Sequence, residues 1–199
     1  MRVVLATHNA GKVAELRDIL DGLDVELLGA DDVDLPDVEE TGDTFAANAL
    51  LKARAGVEAT GLPCVADDSG LAVDALDGAP GIFSARWAAR HGREPSDAAN
   101  TALLLEQLVD VPPADRTARF VCAAALALPD GHHQVVEAAL EGRVVDAPRG
   151  DGGFGYDPVF VPVGEDRTTA EMTAAEKHAI SHRGKAFRAL RPVIAELVG

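Results

Sequence analysis

Several short polar segments in this chain have residue types and spacing that could do chemistry on a phosphorylated ligand. The first, Thr7-His8-Asn9-Ala10-Gly11-Lys12, follows the apolar run Val3–Ala6 and precedes Val13, Leu16, Leu20 and Leu23 at helical spacing. A strand feeding a helix through small polar residues exposes N–H groups at the helix start and sets a lysine in its first turn, an arrangement suited to an anion. It is not a P-loop, because Ala6 stands where the leading glycine belongs and Val13 replaces the hydroxyl that would hold magnesium. The same turn also reads as a capped helix with a surface lysine. The second segment, Asp67-Asp68-Ser69-Gly70, puts two carboxylates at a strand end. Neighbouring strand residues face opposite ways, so one of the two is expected to look into a given cleft. With Glu39 and Glu40 upstream there are oxygen ligands enough for a divalent cation of the magnesium type, which takes one or two carboxylates plus substrate phosphates. An Asx-type turn is the plainer reading of this segment by itself.

The third segment, Gly150-Asp151-Gly152-Gly153-Phe154-Gly155, matches the dinucleotide fingerprint in letters only: that motif must open a helix, and here Tyr156-Asp157-Pro158-Val159-Phe160-Val161 continues as strand. It offers a flexible backbone around one aromatic ring with Asp157 just beyond, which could cradle a flat ligand, or a glycine-rich turn. Lysine usage adds a clue. The chain has 14 arginines and four lysines, Lys12, Lys52, Lys177 and Lys185, and three of the four flank the polar segments. A retained ammonium in an arginine-rich chain hints at a point charge toward phosphate or a base carbonyl. His178, His182 and Arg183 could supply further donors beside Lys177, whereas His91, His132 and His133 show no zinc spacing.

The elements that must position these residues are given by periodicity. After the opening strand, loop and helix, a second helix is expected from Thr44 to Val57, with Phe45, Ala49, Ala53 and Val57 as one stripe, Asn48 and Lys52 four apart on another face, and Gly61 as its stop. Residues 63–66 and 71–73 read as two short strands around the polar corner at Asp67–Gly70. Ser96 caps a helix running to Leu108, and Arg119–Leu128 with Gln134–Val145 form a long antiparallel hairpin about Pro129-Asp130-Gly131. Thr173 and Glu176 make a capping box, and an amphipathic helix follows His182 with a kink expected at Pro192. Interleaved elements around a central hairpin imply an α/β fold with a mixed sheet flanked by helices.

Composition bounds the rest. The 199 residues suit one domain, and 47% hydrophobic with 26% charged residues is a globular composition that excludes disorder and fibre. A net charge of -15 would repel a polyanion at long range, so nucleic acid is not the expected partner. The N-terminal residues lack a signal peptide's apolar region, and the longest apolar run, Val121–Leu128, falls far short of the ~20 residues of a membrane span. A cytoplasmic protein without membrane partners is expected. Cys64 and Cys122 each sit in an apolar stretch without a CxxC partner and read as buried free thiols.

Taken in order, Thr7–Lys12, Glu39-Glu40-Thr41-Gly42-Asp43-Thr44-Phe45 with Asn48-Ala49 and Lys52-Ala53, Ala66–Leu71, Gly78-Ala79-Pro80-Gly81, Gly152–Pro158 and Ile180-Ser181-His182-Arg183-Gly184 are far more specific than any one alone. Together they resemble the Ham1-like non-canonical purine nucleoside triphosphate pyrophosphatases, from the first strand to the last helix. The resemblance implies a single domain over 1–199 that hydrolyses ITP, dITP and XTP to monophosphate and pyrophosphate, cleansing the nucleotide pool. It further implies a Mg2+-dependent homodimer with an elongated mixed β-sheet flanked by helices and two lobes around a central cleft. By position, Thr7, His8, Asn9, Ala10, Gly11 and Lys12 would hold the triphosphate with help from Lys52. Glu39 and Asp68 would serve the magnesium, Asp68 would accept a proton from the attacking water, and Ser69 would touch substrate. Phe154, Gly155, Tyr156, Asp157, Lys177, His182 and Arg183 would enclose and read the purine, Phe154 by stacking. His178 and Trp87 depart mildly from the family pattern.

The residues agree with that chemistry. Attack on the α-phosphorus needs positioning and charge neutralisation more than a covalent nucleophile. Hypoxanthine and xanthine present an O6 acceptor where adenine presents a donor, so a pocket offering Lys177 and Arg183 would reject adenine. Two other readings stay open: a Maf-like pyrophosphatase for pyrimidine or modified nucleotides, and a nucleotide-binding sensor without turnover.

Overall fold

The computed structural model describes residues 1–7, 10–30 and 32–198, with the side chains of residues 10–12, 15 and 198 outside the description. In chain order the elements are β1 (Arg2–Leu5), α1 (Ala10–Leu20), β2 (Glu26–Leu28), α2 (Phe45–Thr60), β3 (Cys64–Val73), α3 (Trp87–Arg90), α4 (Asp97–Gln107), β4 (Thr117–Ala127), β5 (His133–Val144), β6 (Phe160–Pro162), α5 (Ala174–Ile180) and α6 (His182–Val198). The strands form one six-stranded sheet in the order β2-β1-β3-β4-β5-β6. β1 runs parallel to β2 and β3, whereas β6 is antiparallel to β5, so the sheet is mixed as expected.

The chain divides into two compact units: Met1–Asp68 with Cys122–Ala138 and Arg183–Gly199, and Ser69–Val121 with Ala139–His182. In the first, Leu5, Leu16, Leu20, Val65 and Leu126 pack with Phe187, Leu190 and Ile194 of α6. In the second, Leu71, Leu104, Leu108, Phe120, Tyr156, Val159 and Phe160 form the core. Both thiols are buried, Cys64 and Cys122 alike; burial pushes Cys64 up to about 12.

Small residues decide how closely α2 approaches the sheet. Thr44 caps the helix by accepting from Ala47 N, and Gly61 ends it in the left-handed conformation at φ 67°, donating to Val57 O. On its inward side, Ala49 and Ala53 meet Ala66, Ala123, Ala125 and Ala127. Gly56 lies so close to Cys64 that a Cβ there would strike the sulfur. An alanine-lined seam lets the helix backbone sit low on the sheet, and Asn48 and Lys52 come down with it. Ser96 caps α4 by accepting from Ala99 N, and Thr173 and Glu176 form the expected capping box of α5. Helix α6 continues through Pro192 as one element.

One expectation is corrected. Residues 63–73 do not turn at Asp67–Gly70; Cys64–Val73 is one ten-residue strand. An Asx turn forms when an aspartate bonds its own neighbouring backbone. Here Asp67 accepts from Arg183 Nε at 3.2 Å and Asp68 accepts from Asn48 Nδ2 at 3.2 Å, so both carboxylates are satisfied by distant side chains and the backbone stays extended.

Candidate functional site

In the first unit the chemistry gathers around Lys52. Its ammonium donates to Glu40 Oε1 at 2.7 Å and to Asp68 Oδ1 at 3.4 Å. The other Asp68 oxygen, Oδ2, accepts from the fully buried Asn48, whose own Oδ1 accepts from Gly42 N at 2.8 Å. Asn48 therefore fastens the Glu39–Asp43 loop to the carboxylate. Asp68 is buried, and burial raises its pKa above the usual carboxylate value; the Glu40 charge adds to this, while Lys52 and the Asn48 hydrogen bond oppose it without cancelling it. Burial alone would lower Lys52, but attraction to Asp68, Glu40 and Asp67 outweighs it and the ammonium is held above its ordinary value. At an effective dielectric of about 20, charges this close attract by roughly 4 kcal/mol, enough to keep the lysine charged through neutral pH.

Asp67 and Asp68 take different partners, as alternation along a strand requires: Asp67 pairs with Arg183 and Asp68 with Asn48 and Lys52. Beside this cluster lies a cavity of about 240 Å³ lined by Ala6, Thr7, Leu35, Pro36, Asp37, Val38, Lys52, Gly56 and Asp67. Ala6 and Thr7, which follow β1, form part of its wall.

In the second unit the hub is Asp157, which is 2% exposed. Its Oδ2 accepts from Phe154 N at 2.8 Å and Lys177 Nζ at 2.5 Å, and its Oδ1 accepts from Thr169 Oγ1 at 2.8 Å. Phe154 is 58% exposed, with Lys177 Nζ 4.8 Å from its ring centroid. Gly153, at φ 73°, lies against the Asp157 carboxylate so closely that a Cβ would collide with it. Tyr156 is buried in the core of this unit and its hydroxyl donates to Ser84 O at 2.9 Å, so burial raises its pKa. His182 is buried and stacks on Phe120, with ring centroids 5.1 Å apart and 13° between planes.

The structure thus brings Lys52 and Asp68 together in one unit, and Phe154, Gly155, Tyr156, Asp157 and Lys177 in the other. Asp157 and Tyr156 have their polar atoms engaged within the protein and hold the loop from beneath, leaving Phe154 outward. Arg183 is on Asp67. Ser69 is half-buried in β3, one residue beyond Asp68. Glu39 is exposed, and it is Glu40 that meets Lys52. Of the first-turn residues, Thr7 lines the cavity; His8 and Asn9, and the side chains of Ala10, Gly11 and Lys12, lie outside the described residues. The sequence places Asn48 on a helix face with Lys52 but does not announce its bond to Asp68; an asparagine four before a lysine on a mostly apolar helix was the available signal.

The mixed six-stranded sheet thus carries, on one unit, a half-buried Lys52 bridging Glu40 and the buried Asp68 and, on the other, an exposed Phe154 whose N–H is held by the buried Asp157. The sequence model of the Ham1 family matches residues 3–193, and the chain belongs to that family. A dITP/XTP pyrophosphatase of Streptomyces coelicolor is 64% identical over all of this chain and 99% of its own length. The crystal structure of a nucleoside-triphosphatase, dITP/XTP pyrophosphatase, from Mycobacterium abscessus superposes with a TM-score of 0.80 at 54% identity, covering 96% of this chain and all of that one. A HAM1 protein from Coxiella burnetii gives a TM-score of 0.91 at 41% identity over 98% and 99% of the two chains.

Proposed function

We propose that this chain is a nucleoside triphosphate pyrophosphatase that hydrolyses dITP, XTP and ITP to the monophosphate and pyrophosphate, removing them from the nucleotide pool. The observation that carries the reading is the arrangement of Asp68, Lys52 and Glu40: a buried carboxylate with a raised pKa beside a fixed ammonium. Relatives carrying the name dITP/XTP pyrophosphatase at 64% identity support the substrate class.

Asp68 serves as proton acceptor for the attacking water. A base is most effective when its pKa approaches the working pH, and burial moves Asp68 in that direction while Lys52 and Asn48 keep it ionised and aimed. Lys52 neutralises phosphate charge, as do Lys12 and the Thr7–Lys12 turn, which offset the repulsion of a protein of net charge -15. Ser69 contacts the substrate. Phe154 stacks on the purine, framed by Gly155, Tyr156 and Asp157, and Lys177, His182 and Arg183 read its acceptor edge. Adenine presents an amino donor there, and a buried donor facing donors costs roughly 1 to 3 kcal/mol.

The enzyme is proposed to require magnesium. Among the described residues no three His, Cys, Asp or Glu side chains converge to hold a metal, but magnesium asks for one or two carboxylates with the remaining positions filled by water and phosphate. Asp68 and the Glu39–Glu40 pair are hard oxygen donors of the kind magnesium takes, and Glu39 and Asp68 would hold the ion. When bound there, the ion would supply Lewis acidity toward a phosphoryl oxygen and lower the pKa of coordinated water. A cytoplasmic homodimer is part of the same proposal; among the described residues no helix is long and apolar enough to cross a membrane.

Incubation with a panel of triphosphates, with and without magnesium, and chromatography of the products tests the reading. IMP-type monophosphates and pyrophosphate from dITP, XTP and ITP are expected, with ATP spared. Preferred cleavage of TTP or UTP would make it a pyrimidine-directed pyrophosphatase, and tight binding without turnover a sensor.

A further inference from the structure

Helix α4 carries two polar residues on the side that faces the glycine-rich loop. Asp97 and Thr101 are four apart and so share one face. Asp97 Oδ2 accepts from Gly155 N at 2.7 Å, and Thr101 Oγ1 donates to Gly155 O at 3.3 Å. Both main-chain groups of Gly155 are therefore held by one helix. Gly155 itself has φ 61°, a conformation that a side chain would strain. On the other side of Phe154, its own N–H is held by Asp157. The backbone around Phe154 is thus fixed at three polar groups, Phe154 N, Gly155 N and Gly155 O, while Phe154 is left 58% exposed. An apolar ring kept in solvent on a fixed backbone is a preformed stacking surface, whose ordering cost is met at folding rather than at binding.

We infer that Asp97 and Thr101 are positioning residues for purine binding, acting through Gly155 to hold Phe154 in stacking geometry. The inference rests on the pyrophosphatase reading, in which Phe154 receives the base. Asp97 is itself fixed as the first residue of α4 behind the Ser96 cap, and Thr101 is buried one turn further on, so the two arms come from one rigid element.

The test compares Asp97→Ala, Asp97→Asn and Thr101→Val with the wild-type enzyme, measuring kcat and KM for dITP and, without substrate, hydrogen exchange at the Gly155 amide. Asparagine keeps an oxygen that can accept from Gly155 N; alanine does not. If loosening leaves the loop in its competent arrangement a tenth of the time, apparent affinity falls about tenfold. Asp97→Ala should raise KM about tenfold and speed Gly155 exchange at least as much, with kcat changed no more than about threefold. Asp97→Asn should stay near wild type in both, and Thr101→Val should raise KM a few-fold. A merely structural role, through the acidic charge at the start of α4, would make alanine and asparagine equally harmful, and that result overturns the inference. So does an unmoved KM in Asp97→Ala while the wild type turns over dITP. Wild-type protein inert toward dITP and XTP would instead sink the functional reading, whatever the exchange data show.

Discussion

Replacing Asp68 with asparagine separates the demands of catalysis from those of folding. The two Asp68 oxygens accept from Asn48 Nδ2 at 3.2 Å and Lys52 Nζ at 3.4 Å. An amide retains one acceptor, and the Asn48 contact, wholly buried, is the one it must keep. Its NH2 group then faces Lys52, which still has Glu40 at 2.7 Å. Because the pKa of Asp68 is raised in the fold, its linkage runs against stability near neutrality. The protonated form is the one the fold favours; its advantage is complete below the ordinary value of 3.8 and is lost as pH rises through the raised folded value. At pH 7 the ionised carboxylate is a burden on folding, so asparagine relieves one cost while losing one ion-pair arm. The melting temperature of Asp68→Asn should stay within a few degrees of wild type or rise. Turnover should fall about 10³-fold, the usual range for a lost general base and about 4 kcal/mol of barrier. Pyrophosphate release from dITP at saturating magnesium, alongside thermal unfolding at pH 7, gives both numbers. A rate within tenfold of wild type would refute the proton-acceptor role, and a melting temperature lowered by ten degrees would show the cluster to be structural.

Phe154→Ala should raise KM for dITP by 10- to 100-fold, the loss of a base stack at roughly 1 to 3 kcal/mol, with no change in melting temperature because the ring is exposed; steady-state kinetics and calorimetry read the two. Glu176 is held down to about 2, first by the Thr173 N–H and then by Arg167 and the Thr173 hydroxyl. A depressed carboxylate stabilises above its unfolded value of 4.5 and loses that contribution as pH falls toward 2, so Glu176→Gln should flatten the decline of melting temperature across that window. Gly56→Ala should cost about 1 to 3 kcal/mol in chemical denaturation through its clash with the Cys64 sulfur. Adding Cys64→Ala, which removes the sulfur, should recover part of that loss, and no recovery would place the strain elsewhere.

Helix α2 was legible because its signals are local: a threonine cap, a stripe of small apolar residues and a terminal glycine all lie within the segment they define. The mixed sheet could be read from the interleaving of elements around one long hairpin. What escaped were bonds made across the chain. Asp67–Gly70 read as a turn because Asp, Ser and Gly are turn residues, and the arginine that bonds Asp67 is 116 residues away. The bonds that brace Asp157 come from Thr169 and Lys177, 12 and 20 residues on, and neither partner is marked in the glycine-rich stretch itself. Glu39 and Glu40 are adjacent and chemically identical, so which one reaches Lys52 depends on the path of the loop that Asn48 holds through Gly42. Thr101 and Gly155 are 54 residues apart, and nothing in either neighbourhood announces the other.

The sealed position of the two cysteines has a practical side. A thiol reacts as its anion, and Cys64 is both inaccessible and held near 12, while Cys122 is equally enclosed. Alkylating reagents should therefore find no target until the chain opens. The speed at which such a reagent consumes the protein becomes a clock for how often the molecule breathes, readable in crude mixtures and without any added dye.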